Sequence, residues 1–147
     1  MFYIRPTNRS VGVSPCKTIL WAYYFADGIA KPLDPKELKT AEQNTGFTWV
    51  HLQSDTLDAE QTMDDLGLPQ PVADSLLALE TRPKTLAIEG GLLVYLRGIN
   101  TNPDADPEDM VSLRLWLNDK GIVSTRRQGR KLLSVQDVKN DIEQGVV

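Results

Sequence analysis

Few side chains in this sequence can do chemistry. His51 is the only histidine and Cys16 the only cysteine among 147 residues. One of each cannot assemble a four-ligand structural zinc site, and a lone thiol closes no internal disulfide. A general base near neutral pH would have to be His51. It stands in an alternating run between Trp49 and Gln53, with no second ligand spaced to join it. We read it as a satisfied core or interface histidine. Asp104, Asp106, Glu108 and Asp109 resemble a calcium loop only in charge. Pro103 and Pro107 interrupt them, and neither the required glycine nor the final acid is in place. A solvated hairpin loop is the expectation there.

Two further groups deserve weighing. Asp74 and Glu80 lie on the flank of an apolar helix and are the weak metal candidates, two carboxylates able to help a divalent ion at a subunit contact. The plainer reading is that they face water. Arg126, Arg127, Arg130 and Lys131 crowd four cations into six residues. Such a cluster suits an intersubunit charge patch or contact with anions. Nucleic acid is not expected: aromatic residues for base stacking are missing beside the cluster, and the net charge is −4 with a pI near 5.0. No Gly-x-Ser-x-Gly elbow or phosphate-cradling glycine loop occurs, so neither catalysis nor a cofactor is expected.

The elements that must position these residues follow from periodicity. Met1 to Pro15 has no sustained apolar period and reads as a loose arm; residues 16–147 read as one domain. Ile19 to Ala26 is an aromatic strand covered on both faces, followed by an Asp27-Gly28 turn and a short strand over 29–33. That run, the longest apolar one, is far shorter than the roughly 20 residues a membrane helix needs. A short helix is expected over 35–43 and a strand over 47–53, with Phe47, Trp49 and His51 on one face and Val50 and Leu52 on the other. Asp58 should cap a helix through a capping box with Gln61, and Gly67 should close it. A second helix starts near Pro71, carries Val72, Leu76 and Leu79 on its apolar stripe, and should run until Pro83 stops it. Strands follow around Leu86–Ile88 and over 92–100, joined by a Glu89-Gly90-Gly91 turn. After a loop over 101–109 come strands over 110–117 and 122–125. Val111, Leu113, Leu115 and Leu117 are the expected core face of the first. A last helix should be capped by Ser134, with Val135, Val138 and Ile142 as its stripe. The class is α/β (α+β): a mixed, largely antiparallel sheet with helices on its faces.

Residues and periodicity reach no further than that. The segments Glu80-Thr81-Arg82-Pro83-Lys84, Leu96-Arg97-Gly98-Ile99-Asn100 and Ile122-Val123-Ser124-Thr125-Arg126, in this order and spacing, resemble the cytoplasmic part of CorA-type divalent-cation transporters. The Thr-Arg-Pro, Leu-Arg-x-Ile-Asn and Val-Ser-Thr-Arg forms, with Trp49-Val50-His51-Leu52, are similar to the zinc-transporting ZntB branch. The resemblance runs from about Trp21 to Gly145.

It implies a soluble funnel domain on the cytoplasmic side of the inner membrane, in a homopentamer that moves divalent cations, zinc foremost. A stalk helix, two membrane helices and a Gly-Met-Asn pore motif would then lie beyond Val147. No catalytic residue is carried over. Arg82, Arg97 and Arg126 are read as structural or interface arginines, and Arg126, Arg127 and Arg130 as a charged lining of the ion-access funnel or interface. The alternatives are a magnesium, cobalt or nickel transporter domain, a free-standing regulatory module binding an anion or nucleotide, or a small hydrolase.

Overall fold

The computed structural model describes residues 18–34, 46–78, 82–99, 102–104, 106, 110–127 and 133–145. The proposed arm and the short helix over 35–43 lie outside the described residues. Seven strands form one sheet: β1 (Ile19–Ala26), β2 (Ile29–Pro32), β3 (Phe47–Gln53), β4 (Lys84–Ile88), β5 (Gly91–Ile99), β6 (Met110–Asn118) and β7 (Gly121–Arg126). Their spatial order is β2-β1-β3-β7-β6-β5-β4. Only the β3–β7 pair is parallel; every other neighbour is antiparallel. Three helices accompany the sheet among the described residues: α1 (Ala59–Asp65), α2 (Gln70–Leu77) and α3 (Leu133–Glu143).

The hairpins are set by local backbone chemistry. Asp27 and Gly28 both take positive φ, 54° and 75°, as do Glu89 and Gly90 at 50° and 74°. Two successive left-handed residues match the twist of the strands they join, and glycine at the second position removes most of the steric cost. The β6–β7 turn works differently: the Asn118 side-chain oxygen accepts from the backbone N–H groups of Lys120 and Gly121, at 2.9 and 3.0 Å.

Each sheet face has its own core. On one face Val50, Leu52, Leu93, Tyr95 and Trp116 meet Met63 of α1 and Val72, Ala73 and Leu76 of α2. On the other, Tyr23 and Trp49 pack against Ile142, with Trp21, Phe25, Ile122 and Val135 around them. β1 serves both, through Ala22 and Tyr23, as a strand covered on two sides must.

Three local expectations are corrected. Asp58 stands at the N-cap of α1 but makes no side-chain capping bond, and Gln61 turns instead to Asp65, at 2.9 Å. The i, i+4 partner has displaced the capping box. α2 ends at Leu77, well before Pro83, with Ala78 extended at ψ 151°. Tertiary partners take its last carbonyls: the Tyr95 hydroxyl donates to Ser75 O, and Arg114 Nη1 donates to Leu76 O at 3.4 Å. On β6 Val111 and Leu113 are buried as expected, on the face away from α1 and α2, while Trp116 on the opposite face enters the larger core. Finally, α3 begins at Leu133, so Ser134 lies inside the helix, and Val138 is 47% exposed while Val135 and Ile142 pack.

Beyond α3 that second face stays apolar. Register pairs Leu92 with Leu117, Val94 with Leu115 and Leu96 with Leu113. Leu92 and Leu96 remain 41% and 45% exposed.

Candidate functional site

The parallel β3–β7 pair joins segments more than seventy positions apart in sequence. Trp49 lies opposite Ile122, Val50 opposite Val123, His51 opposite Ser124 and Gln53 opposite Arg126. On the other side of β3, Trp21 of β1 lies opposite His51. Because alternate residues share a face, Trp21, Trp49, His51, Ser124 and Arg126 stand together on the face that α3 partly covers.

Their contacts are specific. His51 is 1% exposed. Its ring stacks on Trp21, with centroids 4.4 Å apart and planes 29° apart, and Trp21 meets Trp49 edge-on at 5.4 Å. Trp49 Nε1 donates to Ser124 Oγ at 2.9 Å, and Ser124 Oγ lies 2.6 Å from His51 Nδ1. Ser124 Oγ accepts from the indole; towards Nδ1 it donates when the neutral imidazole carries its proton on Nε2 and accepts when the proton is on Nδ1. The imidazole is neutral, since burial, with the Arg126 charge second, lowers the His51 pKa from 6.5 to about 3.

Three polar atoms of this cluster stand apart from these bonds. Among the described residues, His51 Nε2, Trp21 Nε1 and Arg126 Nε are buried without a hydrogen-bond partner. A buried polar group left so costs about 1–3 kcal/mol. The histidine is therefore only half satisfied: Nδ1 is partnered and Nε2 is not. Arg126 does spend one donor, Nη1 giving 3.2 Å to Arg127 O, and burial lowers its pKa despite the opposing pull of Asp55.

The other candidate residues are scattered. Arg127 is exposed and approaches Asp55 at 3.9 Å. Asp74 is exposed on α2 and accepts from Gln70 Nε2 at 2.7 Å. Glu80, Arg130 and Lys131 lie outside the described residues. Among the described residues no group of three or more His, Cys, Asp or Glu side chains is placed to hold a metal ion. A separate cleft of about 310 Å³ opens at the amino ends of β3 and β7, lined by Thr48, Leu68, Trp116, Asn118 and Lys120 among others. Its lining contains no carboxylate and no histidine, and Asn118 is already committed to its turn.

Residues 44–145 match the family of CorA-like Mg2+ transporter proteins. The chain belongs to this CorA-like family. Among its relatives, the zinc transport protein ZntB of Yersinia enterocolitica is 39% identical over 114 residues, covering 77% of this chain and 33% of that protein. The divalent cation transporter CmaX of Pseudomonas aeruginosa is 40% identical over 99 residues, covering 66% and 29%. The chain thus spans about a third of these relatives' length. The crystal structure of the ZntB cytoplasmic domain from Vibrio parahaemolyticus superposes with a TM-score of 0.72 at 25% identity, over 87% of this chain and 50% of that one. Full-length CmaX superposes with a TM-score of 0.79 at 31% identity, over 90% and 41%. The mixed, mostly antiparallel sheet is thus the fold of CorA-like soluble domains, and two of the motifs behind the resemblance, Trp49–Leu52 and Ile122–Arg126, are its adjoining parallel strands.

Three members of the buried cluster, Trp21, Ser124 and Arg126 as a donor, could not be assembled from the sequence. The usable signal was the pair of alternations Trp49-x-His51 and Ser124-x-Arg126. Each puts two polar-capable side chains on one strand face, but nothing local says that the two strands adjoin.

Proposed function

We propose that this chain is the cytoplasmic domain of an inner-membrane transporter for divalent cations, with zinc the favoured cargo. It works with copies of itself in a homopentamer and catalyses no reaction. The observation that carries the reading is the side-by-side placement of the Trp49–Leu52 and Ile122–Arg126 segments within a CorA-like sheet. The names of the relatives support zinc over magnesium, and the Vibrio protein's description as a cytoplasmic domain supports the side of the membrane. No helix among the described residues is long and apolar enough to cross a bilayer. The conducting path would therefore be formed elsewhere in the full protein. The exposed Leu92 and Leu96 favour contact with further protein surface, because apolar residues clustered on a sheet face are buried more often than left wet.

In this reading the basic cluster shapes the field at the funnel. Arg127, exposed, contributes more to that field than Arg126, which lies half-buried in the sheet face. Asp74 and Glu80 are the weak candidates for cation contact between subunits.

The test is zinc uptake into proteoliposomes by the polypeptide that carries this domain together with two apolar stretches of roughly 20 residues. Uptake above that of protein-free vesicles, and competed poorly by magnesium, is the expected result. A reading frame that closes directly after Val147, or reconstituted protein that moves no divalent ion, overturns it. Binding of oligonucleotide that weakens steeply with salt would instead favour the regulatory module.

A further inference from the structure

The cleft of about 310 Å³ lies on the sheet face that α1 and α2 cover, away from the His51 cluster. Val50 and Val123 come to it from the parallel pair, Trp116 from β6, and Leu66, Leu68 and Pro69 from the connection between α1 and α2. Its volume stands at the lower end of the roughly 300–1,000 Å³ range of small-molecule pockets. We propose that this cleft binds a small monocarboxylate with an apolar body, of about benzoate size.

The chemistry of the lining selects the ligand. Its walls are mainly apolar, so a ligand body without polar groups gains by displacing water from them. Lys120 is the one ionisable residue of the lining. Its side chain is exposed and enters no salt bridge among the described residues. Its backbone is fixed at the cleft: the N–H donates to Asn118 Oδ1 at 2.9 Å, and the carbonyl accepts from Thr48 N–H at 3.1 Å. Thr48 Oγ1 makes no hydrogen bond among the described residues and stands over Gly121, 2.7 Å from where a Cβ on that glycine would lie. One positive charge and one free hydroxyl thus border an apolar recess, and the glycine keeps that corner open.

Other ligand classes fit less well. A divalent cation finds no carboxylate, thiol or imidazole on the lining, and the Lys120 charge opposes it. A phosphate group carries more charge and more acceptor oxygens than one ammonium and one hydroxyl can serve. A neutral apolar molecule would use the walls and leave the charge idle. No acid of the lining competes for Lys120, and the neighbouring Asp119 is exposed and forms no salt bridge with it. The site stands on this lining alone and does not depend on transport.

The experiment is a benzoate titration of the 15N-labelled 147-residue protein at constant ionic strength, with benzyl alcohol and benzylamine as neutral and cationic matches of the same ring. The Thr48, Leu68 and Gly121 amides and the Trp116 indole should shift together and saturate with one Kd, while the Trp21 and Trp49 indoles on the opposite face stay in place. Benzyl alcohol should bind about threefold more weakly than benzoate, and benzylamine more weakly still. Lys120→Gln changes an exposed side chain and keeps the backbone bonds of the turn; it should weaken benzoate about threefold and bring it level with benzyl alcohol. No saturable change at the cleft overturns the proposal. So does equal affinity for benzoate and benzyl alcohol in the native protein, which would make the cleft a plain apolar recess, or undiminished benzoate binding by Lys120→Gln.

Discussion

Acid should unfold this protein through His51 before its carboxylates matter. The folded-state pKa is about 3, against 6.5 for a free imidazole, because burial and then the Arg126 charge oppose protonation. The unfolded chain therefore takes up the proton first. Stability is complete above about pH 6.5 and is lost as pH falls towards the folded value, at about 1.4 kcal/mol per pH unit once the unfolded histidine is protonated. Between pH 7.5 and pH 5 the loss comes to about 2 kcal/mol. Glu143 acts in a lower window: its hydrogen bond to Lys139 holds its carboxyl below the usual 4.5, so its loss begins only beneath that value. The range from pH 5 to 6.5 thus isolates the histidine. Urea unfolding followed by tryptophan fluorescence at half-unit pH steps should show the midpoint falling by about 1 M across it. His51→Gln should flatten that dependence whatever its own effect on stability. A flat profile in the native protein, or the same slope in the variant, would refute the reasoning.

Three further substitutions probe the fold around the site. At Gly121, where β7 begins beside β3, an added Cβ would collide with the Thr48 carbonyl oxygen across the parallel pair, so Gly121→Ala should cost about 1–3 kcal/mol in chemical denaturation. Gly28→Ala, with open space around its Cβ but a φ of +75°, is the matched control for backbone strain alone. Tyr95→Phe removes the hydroxyl that donates to Ser75 O at the end of α2. It should cost about 1 kcal/mol and raise amide hydrogen exchange in the last turn of that helix, leaving α1 unchanged.

What the sequence disclosed and what it withheld divide along a physical line. Alternation of aromatic and apolar residues located β1 and β3, and the Asp-Gly and Glu-Gly-Gly turns located two hairpins, because those signals act within a few residues. The element boundaries that failed were decided at a distance. α2 stops at Leu77 because Tyr95 and Arg114, on β5 and β6, supply its last carbonyls with donors; no residue between Leu77 and Pro83 announces it. β6 shows a related limit. A strand covered on both faces has no single apolar register: Val111 and Leu113 are buried on one side, and Trp116, which alternation leaves out of that set, enters the larger core on the other.

The same limit governs the site. His51 stands out as the lone histidine, and the expectation of a satisfied core histidine holds at Nδ1, which Ser124 partners. Its unsatisfied half depends on a parallel pairing that closes a crossover through two helices and three strands, and such long-range register leaves no trace in either segment alone.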